Sequence, residues 1–351
     1  MRVTLVTAGD IGRRTGGYLY HARVAQDLAR EGVLLEQIIA SRDASADEQR
    51  RAAQDVAAID PQVLAADVIV VDALAALVVA SRLDVWQSRR PLVAMVHELP
   101  SVAAERGEAD LLAAEERLLR ADRVIAVSQH GRGILLDRGV APERVAVVAP
   151  GADRLRRSDH WKQTGDGNLR VLCVAQWIPR KGIDTLVRAW LALGRNDATL
   201  DLVGETDVDP QYAAQVRALA ASTPPGSVVI HGSVDDVALA AAWQRAALFA
   251  LPTRYEGYGM VFAEALLHGL PVVAGAVGPV PELVGPNAGL LVPPDDPAAL
   301  TSALARLLDD GELRASMAAA ARARGEALPT WADTACAFQS VMDAAMRERA
   351  G

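Results

Sequence analysis

The sequence of 351 residues predicts an α/β fold: two Rossmann-like domains, each a parallel sheet covered by helices, facing a central cleft. Three observations predict it. Short, uniformly apolar, β-branched runs alternate with helical stretches from end to end, and strands that are apolar throughout belong to parallel sheets buried on both faces. The alternation lapses once, in the polar, aperiodic stretch 154–167, and then restarts. The length exceeds what one hydrophobic core ordinarily serves, so the lapse divides two domains. The expected boundaries are 1–155 for the first domain, 156–168 for the linker, 169–328 for the second domain and 329–351 for a last helix that crosses back to the first.

In the first half, strands are expected to begin at Val3, Val33, Val68, Leu92, Val124 and Val145, with helices over 18–30 and 108–120 between them. In the second half, strands are expected over 169–175, 199–203, 228–231, 248–251 and 271–274. A helix starts near Met260, alanine-rich helices follow Pro297, and the last begins near Trp331. Open parallel sheets bind ligands at the carboxyl ends of their strands, so chemistry-bearing residues should lie just after strands.

Composition narrows the function classes. Half of the chain (51%) is hydrophobic and 23% is charged, as in a soluble protein with large cores. A net charge of -8 argues against a general nucleic-acid binder and leaves membrane contact at most peripheral. No run approaches the ~20 apolar residues of a membrane span. The opening Met1-Arg2-Val3-Thr4-Leu5-Val6 is too short an apolar run for a signal peptide and reads as a strand. The two cysteines, Cys173 and Cys336, lack metal-ligand spacing and suit a reducing cytoplasm.

The most informative segment is Tyr255-Glu256-Gly257-Tyr258-Gly259-Met260-Val261-Phe262-Ala263-Glu264, just after an expected strand. Its glycines allow close approach of a ligand, and amides at a helix start can bind an anion. Glu256, beside such a nest, is suited to accept hydrogen bonds from sugar hydroxyls. By spacing alone, an acidic pair stabilising a helix dipole explains the segment equally well. A second segment, Gln176-Trp177-Ile178-Pro179-Arg180-Lys181-Gly182, places two cations at a strand-to-helix turn, where they would suit a diphosphate. In the first half, Gly9-Asp10-Ile11-Gly12-Arg13-Arg14-Thr15-Gly16-Gly17 lacks both the dinucleotide glycine spacing and the Lys-Ser/Thr of a phosphate loop, so no nicotinamide or other cofactor is expected. Arg13 and Arg14 read as solvated; facing the cleft, they would favour an anionic acceptor. His97 follows the buried run 92–96, at the functional end of a strand. The other histidines, among them His130, His231 and His268, carry no partner pattern. Asp207-Val208-Asp209 matches an Asp-x-Asp metal motif, but Asp209 before Pro210 reads better as a helix cap, so no metal site is expected.

Together the segments resemble the retaining family 4 glycosyltransferases of the GT-B fold. The resemblance extends to Glu264-Ala265-Leu266-Leu267-His268-Gly269-Leu270-Pro271, Gly278-Pro279-Val280-Pro281-Glu282-Leu283-Val284, Gly289-Leu290-Leu291-Val292, the stretch 120–128 and Pro150-Gly151-Ala152-Asp153. It implies that Lys181, helped by Arg180, binds the diphosphate of a nucleoside diphosphate sugar. Glu256 and the amides of Gly257, Tyr258, Gly259, Met260 and Val261 would contact sugar or phosphate, and Glu264 would hold the ribose hydroxyls. Gly204 would let the nucleotide pass, Gly16 and Gly17 would approach the phosphates, and His97 would lie close to the donor sugar. The implied reaction is metal-independent transfer to an acceptor hydroxyl with retention. The sequence departs from the family at Gln176, where an arginine is usual, and at Pro279, where a second glycine is common. Two other classes fit the motifs: an epimerase or phosphorylase of related architecture, and a non-catalytic nucleotide binder.

Overall fold

The computed structural model describes residues 1–9, 11, 13, 15–41, 52, 56–103, 109–155 and 168–350. Arg14, Glu108 and residues 156–167 of the expected linker lie outside them. The chain forms two compact units, Met1–Gly151 with Pro329–Gly351, and Ala152–Leu328.

The first unit is a six-stranded sheet of β1 (Arg2–Ala8), β2 (Leu34–Ser41), β3 (Val68–Asp72), β4 (Leu92–Val96), β5 (Arg123–Ala126) and β6 (Val145–Val147). The strands are parallel and run in the order β2-β1-β3-β4-β5-β6. Strands β3 and β4 are buried along their whole length, the reason their sequences, apart from Asp72 at the end of β3, are apolar rather than alternating. The helix Trp331–Ala350 belongs to this unit. Buried Trp331 packs edge-on to Tyr20, and the Thr334 hydroxyl donates to the carbonyl of Ala149 at 2.9 Å.

The second unit holds β7 (Leu169–Val174), β8 (Ala198–Val203), β9 (Val228–Gly232), β10 (Leu248–Leu251), β11 (Val272–Gly275) and β12 (Gly289–Val292). They too are parallel, in the order β12-β11-β10-β7-β8-β9. Sequence periodicity anticipated five of these strands. The sixth, β12, lies at the sheet edge and is only half-buried at its two central residues, so its short run Gly289–Val292 stands out less than the fully buried β10 and β11.

Both orders reverse direction once. The first sheet does so between β1 and β3, the second between β7 and β10, since successive connections leave each pair on opposite sides. The crevice outside the carboxyl ends of such a strand pair is where open α/β sheets bind ligands. Lys181 follows β7 and Glu256 follows β10.

Candidate active site

The turn after β7 runs through Ala175, Gln176, Trp177 and Ile178 into the 3-10 turn Pro179–Lys181 and the helix Ile183–Leu193. Gly182 joins the last two with φ +67°, and a Cβ there would stand 2.3 Å from the carbonyl oxygen of Pro252. Only glycine permits that approach, which brings this turn against the chain leaving β10. The amide of Arg254 donates to the carbonyl of Arg180 at 2.7 Å, and the Thr253 hydroxyl donates to the same carbonyl at 3.1 Å. The two turns are therefore stitched together before any charged side chain is considered.

On this platform the Lys181 ammonium forms an ion pair with the Glu256 carboxylate. The side chains retain 14% and 7% exposure, so the pair is shielded from solvent screening. Residues 75 apart in sequence thus supply a cation and a carboxylate at the switch point. Arg180 turns to the carbonyl of Tyr255 at 3.4 Å. Gly257 and Tyr258 lead to Gly259, φ +96°, which opens the helix Met260–Leu267. In that helix Phe262 and Ala263 are the first amides bonded back, to the carbonyl of Gly259. The Met260 and Val261 amides stand in its first turn, at the positive end of the helix dipole. Burial pushes the Tyr258 phenol up to about 12, so it remains a neutral hydroxyl.

Gly204 follows β8 with φ +142°, and a Cβ there would fall 1.8 Å from the carbonyl oxygen of Ala175. The turns after β7 and β8 therefore touch backbone to backbone. Across them the Gln176 amide donates to the Glu205 carboxylate at 2.7 Å. Gln176 is thus engaged with a neighbouring turn, and an arginine at this position would meet the same acidic group. Asp209 accepts the Tyr212 amide at 2.9 Å and caps the helix Pro210–Ala221, while Asp207 is exposed.

Glu264 belongs to a different pair. Its carboxylate oxygen Oε1 accepts from Nε and Nη2 of Arg154 at 3.1 and 3.0 Å, and Nη1 of Arg154 reaches Asp236 at 3.0 Å. Burial raises the Glu264 pKa, and the guanidinium opposes that rise. Sequence reading placed Arg154 in the polar stretch that breaks the alternation. The structure puts it instead in the 3-10 turn Asp153–Leu155 of the second unit, with its side chain 9% exposed. One of three arginines in a polar stretch carries no periodic signal, and only the packed fold reveals its partner.

In the first unit, Gly16 and Gly17 start the helix Gly16–Arg30. His97 follows β4, and a Cβ on Gly17 would lie 3.5 Å from its ring. The His97 Nε2 meets Nε2 of His21 at 2.8 Å, and the His97 ring packs edge-on to Tyr20 at 5.1 Å. Oδ2 of Asp72, at the end of β3, is 3.5 Å from Nε2 of His21. Burial lowers His97 to about 4 and His21 well below the usual range, and it raises Asp72 to about 7. Both imidazoles are therefore neutral at pH 7. Sequence reading did not single out His21 or Asp72. His231, read as lacking a partner, has its Nε2 2.7 Å from Asp201. Among the described residues, no helix is long and apolar enough to cross a membrane.

Two parallel α/β units, the second with its charged pair at the switch point, are the architecture of the GT-B fold. Among solved structures, the chain is similar to sucrose-phosphate synthase of Thermosynechococcus elongatus, with TM-score 0.82 and 22% identity over 99% of this chain and 100% of that one. It is also similar to Anabaena HepE, crystallised with UDP and glucose, with TM-score 0.81 and 20% identity over 98% and 100% of the two chains. Residues 16–156 match the family described as Glycosyltransferase Family 4, and residues 168–310 match Glycosyl transferases group 1. The chain belongs to the family 4 glycosyltransferases. One curated relative is a GDP-mannose-dependent monoacylated alpha-(1-6)-phosphatidylinositol monomannoside mannosyltransferase of Corynebacterium glutamicum, 36% identical over 46% of this chain and 43% of that protein. Another is a D-inositol 3-phosphate glycosyltransferase of Salinispora arenicola, 33% identical over 66% and 59%. The chain thus spans about half the length of these curated relatives.

Proposed function

We propose that the protein transfers a sugar from a nucleoside diphosphate sugar to an acceptor hydroxyl, with retention of anomeric configuration and without a metal. The observation that carries this is the shielded Lys181–Glu256 pair on stitched turns after β7 and β10. The curated relatives are named for mannosyl and inositol-phosphate glycosyl transfer, and HepE was crystallised with UDP and glucose, which supports a nucleotide-sugar donor.

In this proposal Lys181, with Arg180 and the amides of Gly257 to Val261, neutralises the diphosphate as the bond from the anomeric carbon to the phosphate oxygen breaks. Glu256 accepts hydrogen bonds from the donor sugar, and His97 contacts that sugar. Glu264 accepts from the ribose hydroxyls, Gly204 leaves room for the nucleotide, and Gly16 and Gly17 approach the phosphates. The acceptor oxygen bonds to the same face of the anomeric carbon, and its proton passes to the departing phosphate oxygen. The protein works in the cytoplasm, at most peripherally on a membrane. Nucleotide-sugar turnover that needs an acceptor is the deciding assay, because an epimerase would act on the donor alone.

Because cations and amides hold the diphosphate, activity is expected to survive exhaustive chelation. Complete loss with EDTA, restored by Mn²⁺ or Mg²⁺, would return Asp207 and Asp209 to consideration as metal ligands.

A second expectation concerns Arg154. A buried carboxylate accepts ribose hydroxyls best when ionised, and Arg154 is the cation that opposes its protonation. Arg154→Met removes that opposition, so the Glu264 pKa rises further and the carboxylate is lost as pH falls. Nucleoside diphosphate binding should weaken, and more at pH 6 than at pH 8. Calorimetric titration at both values checks this; equal weakening at both would mean that Arg154 acts through packing alone.

A further inference from the structure

The His21–His97 contact contains information about protonation. Neutral imidazole carries one proton, so in a 2.8 Å contact between two Nε2 atoms one ring donates and the other accepts. We propose that His21 is a positioning residue that donates from its Nε2 to Nε2 of His97, fixes His97 as the Nδ1–H tautomer, and so makes the accessible edge of His97 a hydrogen-bond donor.

Two independent features select this direction. The first is the far side of His21. Its Nδ1 is buried and, among the described residues, has no hydrogen-bond partner. If His97 were the donor, His21 would have to carry its proton on that atom, leaving an orphaned buried N–H, the rarer and costlier defect. With His21 as donor, the orphan is only an unused lone pair. The second feature is Asp72. Its Oδ2 lies 3.5 Å from Nε2 of His21, while its carboxylate also accepts the Thr7 hydroxyl at 3.1 Å and the Leu74 amide at 3.0 Å. An ionised carboxylate at that position attracts an N–H on Nε2 of His21 and repels a lone pair there. Both features place the proton on the same atom.

The consequence for His97 follows from its other nitrogen. Among the described residues, Nδ1 of His97 has no hydrogen-bond partner, yet it is not sealed off as Nδ1 of His21 is. His97 is half-buried, and burial holds it neutral. Its open edge therefore offers one N–H and no lone pair. It can donate to a hydroxyl, carbonyl or phosphate oxygen, but it cannot take up a proton as a general base through Nδ1. A ligand group that meets it must be an acceptor, and a sugar hydroxyl there would in turn keep its own proton for another partner. This last consequence rests on the donor-sugar contact proposed above; the tautomer does not.

The test uses the wild-type protein labelled with ¹⁵N-histidine. Long-range ¹H–¹⁵N correlation at pH 8, above the value of about 7 for Asp72, reports which nitrogen of each ring carries the proton. In this arm His97→Asn and His21→Asn assign the signals. The expected result is a protonated Nδ1 and a bare Nε2 on His97, the reverse on His21, and a nitrogen–nitrogen coupling across the shared hydrogen bond. A proton on Nε2 of His97, or a mixture of tautomers, overturns the proposal. A separate arm tests the contact with substrate. The asparagine amide sits near the Nδ1 position of histidine and the glutamine amide near Nε2. His97→Asn should therefore retain about 10-fold more turnover than His97→Gln, the worth of one hydrogen bond. Equal turnover of the two removes the donor-sugar role of His97 and leaves the spectroscopic result standing by itself.

Discussion

Glu256→Gln is expected to reduce sugar turnover by about 10- to 100-fold or more while nucleoside diphosphate binding stays nearly intact. A hydrogen bond to a charged group is worth ~1.5–3 kcal/mol, and each 1.4 kcal/mol is a factor of ten. The substitution keeps shape and one acceptor oxygen but removes the charge. It also leaves the Lys181 ammonium without its counter-charge, which should favour an incoming diphosphate rather than oppose it. Turnover and nucleotide affinity should therefore move separately. Steady-state rates together with calorimetric titration check this. Wild-type turnover in the variant would refute the contact between Glu256 and the donor sugar.

Lys181→Ala is expected to show two large effects. Nucleoside diphosphate binding should weaken by about 10- to 100-fold, again ~1.5–3 kcal/mol for a lost charged contact. The second unit should also lose stability, because the substitution strands the Glu256 carboxylate in a shielded site. Removing one partner of a buried pair costs ~3–5 kcal/mol, and in a domain of this size each kcal/mol lowers Tm by about 2–4 °C. The residual exposure of Lys181 places the expected shift toward the lower end of that range. Lys181→Ala combined with Glu256→Gln should recover much of the stability, since no charge is left stranded, but none of the affinity. Binding must be measured well below the transition temperature for the two effects to separate. If the single variant binds every nucleotide as tightly as the wild type, the diphosphate is held elsewhere.

The pairing of Lys181 with Glu256 shows how far sequence reading reaches. Each residue was legible as the charged group after a strand. Their contact was not, because it depends on β7 and β10 lying side by side, a matter of strand order that periodicity does not encode. The same limit hid His21. It sits in the helix Gly16–Arg30 with no signal in its local sequence, and it meets His97 only because β1, β3 and β4 are neighbours. Gln176 stood out as a departure from the family pattern. Its bond to Glu205 needs the close backbone contact that Gly204 allows, 29 residues away. Arg154 was misplaced for a different reason. Polar composition marks a break in the alternation, but it cannot distinguish the residues of such a break from a buried arginine that holds a carboxylate. The strands themselves were the most legible feature, since full burial in a parallel sheet writes an uninterrupted apolar run into the sequence.

The most direct test of the proposed donor site is calorimetric titration of the wild-type protein with UDP, GDP and ADP, followed by the sugar conjugates of whichever base binds. A site made by Lys181, the amides at the start of the helix Met260–Leu267 and Glu264 should bind at least one of these saturably and without added metal. The matching nucleotide sugar should compete for the same site. Failure of every nucleotide and every conjugate to bind, with and without acceptor present, would contradict a glycosyl-transfer role for this chain.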